Sequence, residues 1–122
     1  MYEYTAKVIR VVDGDTLEVD MNLGFGIHFI EKLRLLRVDT PEVHGVKHVS
    51  AEYARGKIAS AFTQAWVDSV NSEIIVKTKK DRKGGRGRYL AEVYSASNIN
   101  NNLQEAIIKA GHDRNSPLTY QD

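Results

Sequence analysis

Leu33-Arg34-Leu35-Leu36-Arg37-Val38-Asp39-Thr40-Pro41-Glu42 is the stretch where the chain changes its period. Leu33, Leu35, Leu36 and Val38 read as the buried end of a strand that starts near Ile27, and Pro41, which cannot donate to a ladder, stops it. Two more strands precede it. Tyr4–Val12 is rich in β-branched and aromatic residues, and Thr16–Asp20 alternates. Asp13-Gly14 is a hairpin signal between these two, and Asn22–Gly26 is a second turn. Downstream, Asp39–Ser50 holds Pro41, Gly45, His44 and His48 without a period and reads as a loop. From Ala51 to Val70 the period becomes helical, with Ala54, Ile58, Ala61, Phe62, Ala65, Trp66 and Val70 on one face and Ser50 as N-cap. Ile74–Val76 and Tyr89–Tyr94 are two further strands, joined by a basic, glycine-rich connection over 77–87. Leu103, Ala106, Ile107 and Ala110 form a short amphipathic helix with Gly111 as its stop. Three strands, a helix, two strands and a helix match an α+β fold, a five-stranded OB-type Greek-key β-barrel with two α-helices. A generic α+β sheet satisfies the same order.

The chain of 122 residues suits a single domain over 1–122, with 113–122 expected as a loosely held tail. It has no cysteine, which excludes disulfides and thiolate-held zinc or iron–sulfur centres. No apolar run reaches the roughly 18–20 residues of a membrane span. Met1-Tyr2-Glu3-Tyr4-Thr5 lacks the basic and apolar regions of a signal peptide. A soluble monomer, cytoplasmic by default, is the expectation. Net charge is only +1, but its distribution is uneven. Lys77 to Arg88 contains seven basic residues and one acid, for a local +6 against −5 elsewhere. That segment is either a solvated loop or an attractor for a polyanion.

Two clusters carry chemistry. Val12-Asp13-Gly14-Asp15-Thr16 and the Arg34–Glu42 stretch each place carboxylates at the end of an apolar run, the second with an arginine five residues before its aspartate. Carboxylates converging with arginines suit a hard divalent cation held beside a phosphate. Taken singly, each cluster has a plainer account. Asp13 and Asp15 flank a turn glycine, where aspartate is favoured for its own sake. Arg34 would face opposite to Leu33 and Leu35, as any surface arginine on a strand does. His44 and His48 are spaced for zinc only if helical, which their loop is not.

These two clusters, followed by Gly87-Arg88-Tyr89-Leu90-Ala91, resemble the staphylococcal nuclease (thermonuclease) family in order and local spacing. Ala59-Ser60-Ala61-Phe62-Thr63 resembles its first helix, and Asn102-Leu103 with Ala110-Gly111 its second. The resemblance covers about residues 4–112. It implies an OB barrel acting as a calcium-dependent endonuclease that hydrolyses DNA and RNA with little sequence specificity and leaves 3′-phosphate ends. It places the Ca2+ ligands on Asp15, Asp39 and the carbonyl of Thr40, the general base on Glu42, and the phosphate-binding arginines on Arg34 and Arg88. Asp13 matches a supporting acid.

The chain departs from the family pattern in two places. The family has a tyrosine where Arg86 stands, in a longer, glycine-rich Asp81–Arg88 segment. Arg86 is therefore the alternative to Arg88, and Lys83 with Arg86 are further candidates to touch substrate. The family also continues through tyrosines into a third helix, to which Tyr120 does not match. A non-catalytic OB module binding nucleic acid or protein is the competing reading. The filled set of candidate positions argues against it.

Overall fold

The Asp13-Gly14 signal does make a hairpin: β1 (Tyr2–Asp13) pairs antiparallel with β2 (Thr16–Asn22), and Asp13 faces Thr16 across a two-residue turn of Gly14 and Asp15. The computed structural model describes residues 2–41, 43, 50–83 and 89–113, with the backbone alone for 80–83. β2 returns as β3 (His28–Leu35) through Gly24, Phe25 and Gly26, all at positive φ. After α1 (Ala51–Ser69), β4 (Glu73–Lys83) and β5 (Tyr89–Ser95) complete the sheet, and α2 (Leu103–Lys109) follows. The order β1-β2-β3-β5-β4 closes, since β4 pairs with β1 and β5 runs parallel to β3. This is the OB-type barrel with two helices read from the sequence. The closed circuit excludes the generic open sheet.

Alternation builds the interior. Leu17, Val19 and Met21 of β2, Leu33 and Leu35 of β3, Ile74 and Val76 of β4, and Ala91 and Val93 of β5 are all buried. Trp66 and Val67 of α1 and Leu103 and Ile107 of α2 join the same core, with Phe62 packed against it. Burying each such Leu, Ile or Val contributes about 1.5–3 kcal/mol.

Two boundaries and one helix face differ from the sequence reading. β3 stops at Leu35 instead of Val38, because Arg37 takes a left-handed conformation, φ 68°, that no ladder accommodates. Glu92 of β5 meets the Arg37 guanidinium at 3.0 Å there. β4 continues from Val76 through Lys83 into the basic connection, since Thr78 is inward and buried while Lys79 points out to water. The inner face of α1 is Gly56, Ala59, Thr63, Trp66 and Val67, and Ile58 of the expected face is 59% exposed. The cause is close packing: a β-carbon on Gly14 would lie 3.0 Å from the Cβ of Ala59, so only small residues fit where α1 crosses the β1–β2 turn. Ser50 caps α1, its Oγ accepting from the Tyr53 N–H at 3.1 Å. Gly111, at φ 80°, stops α2.

Candidate metal and phosphate site

The site forms where the β1–β2 turn meets the loop leaving β3. α1 fixes the turn from below, its Thr63 hydroxyl donating to the Gly14 carbonyl at 2.6 Å. The Leu35 N–H donates to the Asp15 carbonyl at 2.8 Å, locking the end of β3 against the same turn. Asp15 is thereby buried, its side chain 7% exposed.

The Asp15 carboxylate works in three directions. Its Oδ1 accepts from the Thr16 hydroxyl at 3.0 Å, and its Oδ2 accepts from the Thr40 N–H at 3.0 Å. The same Oδ2 lies 3.3 Å from Nη1 of Arg34. Arg34 faces away from Leu33 and Leu35, as alternation requires. Its Nη1 donates to the carbonyls of Leu35 and Val38 at 2.9 and 2.6 Å, and its Nη2 to Oδ1 of Asp39 at 3.2 Å. One guanidinium thus gathers two carboxylates and folds the strand end back on itself. Among the described residues its Nε–H makes no hydrogen bond.

The loop carrying Asp39 and Thr40 is held by three aspartates. Besides the bond from Asp15, Asp13 Oδ1 accepts from the Val43 N–H at 3.3 Å, and Asp113 Oδ1 accepts from the Asp39 N–H at 3.0 Å. Asp113 was not among the residues singled out in the sequence. It falls in the stretch read as a loose tail, 74 positions from its partner. Gly111 turns the chain off α2, the His112 ring packs on Phe62 with centroids 4.9 Å apart, and the next side chain reaches the loop. Burial holds the His112 imidazole below the usual histidine range.

Asp13, Asp15, Arg34, Asp39 and Thr40 are therefore brought together. Glu42, Arg86 and Arg88 lie outside the described residues, as do His44 and His48. Lys83 ends β4 opposite Tyr89, where the structure describes its backbone only. The donor chemistry fits a hard cation. Asp15, Asp39 and the Thr40 carbonyl offer only oxygen, and the two carboxylates already converge on a positive group. No group of three or more His, Cys, Asp or Glu side chains able to hold a metal occurs among the described residues. Such a sparse set leaves most of a calcium-sized coordination shell to water and substrate oxygens.

The model of the staphylococcal nuclease homologues matches residues 32–120. The chain belongs to that family. A thermonuclease of Staphylococcus hyicus is 38% identical over 109 residues, covering 89% of this chain and 57% of that protein. An uncharacterised protein of Methanocaldococcus jannaschii is 32% identical over 127 residues, covering 91% of this chain and 58% of its own length. A Bacillus subtilis endonuclease is 34% identical over 113 residues, which is 90% of this chain and 9% of that protein. The chain thus spans well under two thirds of these relatives. No helix among the described residues is long and apolar enough to cross a membrane.

Proposed function

We propose that this member of the staphylococcal nuclease family is a calcium-dependent phosphodiesterase that cuts DNA and RNA with little sequence specificity and leaves 3′-phosphate ends. The observation that carries the reading is the convergence of Asp15 and Asp39 on Arg34, with Thr40 held between them by the Asp15 carboxylate. Thermonuclease and endonuclease among the relatives support the same chemistry.

Asp15, Asp39 and the Thr40 carbonyl would hold the Ca2+, which when bound offsets the negative charge of the phosphodiester. Arg34 presents its Nε edge to a phosphate oxygen while its Nη groups hold the loop, so the donor is preorganised before substrate arrives. Arg88, with Arg86 as the alternative, supplies the second guanidinium. Glu42 accepts the proton of the water whose oxygen attacks phosphorus. The new P–O bond forms as the bond to the 5′-oxygen breaks, and that oxygen takes a proton from solvent. Little specificity follows from groups that address phosphate and not base edges.

The test is digestion of end-labelled single-stranded DNA and RNA with calcium and with EDTA, alongside Glu42→Gln and Arg34→Lys. Cleavage that EDTA abolishes and that each substitution lowers by about 10²-fold or more is expected. Protein that binds DNA without EDTA-sensitive cleavage overturns the reading in favour of a binding module.

A further inference from the structure

At the far end of β3, Tyr4 and Tyr89 pack against the core while Tyr2 and Phe29 stand exposed at the barrel opening. The last inward positions there are aromatic: Tyr2 and Tyr4 of β1, Phe29 of β3 and Tyr89 of β5, over a floor of Met21. They line a cleft of about 260 Å³ open to solvent, with Tyr2 51% and Phe29 40% exposed. Phe29 and Tyr89 meet edge to face, ring centroids 6.3 Å apart. Two irregularities hold the cleft open. Only Leu33–Leu35 of the eight-residue β3 pair with β5, and the β4–β5 register shifts between Thr78 and Lys83. A cluster of rings at an opening is the kind of exposed apolar patch that marks an interaction site.

We infer that this cleft is a base-stacking subsite for single-stranded nucleic acid, taking unpaired bases a few nucleotides away from the phosphate held at Arg34. Aromatic rings offer faces to any base, which suits a substrate chosen without regard to sequence. Lys79 is the charged residue in the described lining, and no acid accompanies it. Lys77 lies two residues before Lys79 on the same strand, and in the sequence the basic run goes on to Arg88. Tyr89 sits opposite Leu33, next to Arg34, and Phe29 lies five residues further back on β3, about 17 Å along an extended strand. A duplex has its bases already stacked and cannot fill the cleft. The inference rests on the proposed nuclease reading for its substrate, and the experiment separates the two.

Binding of fluorescein-labelled (dT)12 is measured in EDTA, where no cleavage occurs, for the wild type, Phe29→Leu, Tyr2→Leu and Lys79→Ala. Hydrolysis of (dT)12 and of the dinucleotide TpT is measured with calcium. Each ring substitution is expected to weaken (dT)12 binding about tenfold without altering its salt dependence. Lys79→Ala should lower the salt slope by about one charge. TpT hydrolysis should be unchanged by Phe29→Leu, and a (dT)12·(dA)12 duplex should compete poorly. Ring-dependent binding in a protein that cleaves nothing leaves the cleft standing and removes the nuclease reading. Cleavage with (dT)12 binding indifferent to both rings overturns the cleft. So does a concentration-dependent dimer that the ring substitutions abolish while (dT)12 binding persists, since a second copy of the chain is then the occupant. Circular dichroism and melting of each variant establish that the fold is retained.

Discussion

Replacing Asp113 by alanine tests whether the end of α2 governs the loop proposed to hold calcium. The bond at stake is the one from the Asp39 N–H to Asp113 Oδ1, 3.0 Å long and partly buried. A hydrogen bond to a charged group contributes about 1.5–3 kcal/mol when sheltered, and solvent at this half-buried carboxylate brings it to roughly 1 kcal/mol. A domain of this size should then melt about 4 °C lower. The effect on calcium should be larger than the effect on stability. Partners that orient a metal's ligands typically cost about 10–100-fold in affinity or activity when removed. Calorimetric titration with Ca2+ should therefore show at least a tenfold weaker site for Asp113→Ala. Asp113→Asn separates two causes. It keeps an acceptor for the Asp39 N–H and discards the charge, so it should restore most of the affinity if the bond positions the loop. An Asn variant as weak as Ala would mean that the carboxylate acts through its field. An Ala variant that melts lower but binds Ca2+ like the wild type would refute the reasoning altogether.

Gly14→Ala places a β-carbon 2.8 Å from Thr40 Oγ1 and 3.0 Å from the Cβ of Ala59, so the turn, the loop or α1 must shift. A loss of about 1–3 kcal/mol in urea unfolding is expected, together with weaker calcium binding, because the same shift lengthens the Asp15–Thr40 bond. His112 gives a pH dependence with a definite sign. Its folded pKa lies below its unfolded value near 6.5, so the stability it contributes is complete above that value and is lost as pH falls through the folded pKa. The urea midpoint of the wild type should drop from pH 7.5 to pH 5.5 by more than that of His112→Phe. Equal drops in the two proteins would remove His112 as the cause.

The order of elements was legible because strands and helices here obey their own periods and the turns carry glycine and aspartate. The inner face of α1 was not. Counting apolar residues favours Ala54, Ile58, Ala61 and Ala65, whereas the barrel selects Gly56, Ala59 and Thr63 for their size against the Gly14 turn. Charge concealed the second half of β4, since Lys77 and Lys79 alternate with the buried Thr78 in a strand whose outer face is basic. The end of β3 misled for a different reason. Leu36 and Val38 are apolar, but the backbone turns at Arg37, and the Arg34 guanidinium takes up the carbonyls of Leu35 and Val38 that the turn releases from the ladder.

That last detail changes what Arg34 is for. A strand-borne arginine that only met substrate could be replaced by any long cation with a loss confined to phosphate binding. This one commits both Nη groups to the fold of the loop that carries Asp39 and Thr40, and in the proposed reading its Nε edge meets the phosphate. A lysine has one ammonium and no second edge, so it cannot do both. The same economy holds for the acids. Asp13, Asp15 and Asp113 each accept from one backbone N–H of the 39–43 segment, which makes the loop's shape depend on three separate elements: the β1–β2 turn, the end of β3 through Arg34, and the exit of α2. If a cation and a phosphate bind here as proposed, a loop tied at three points loses little further freedom, and the ordering cost of binding is met by the fold of the whole domain.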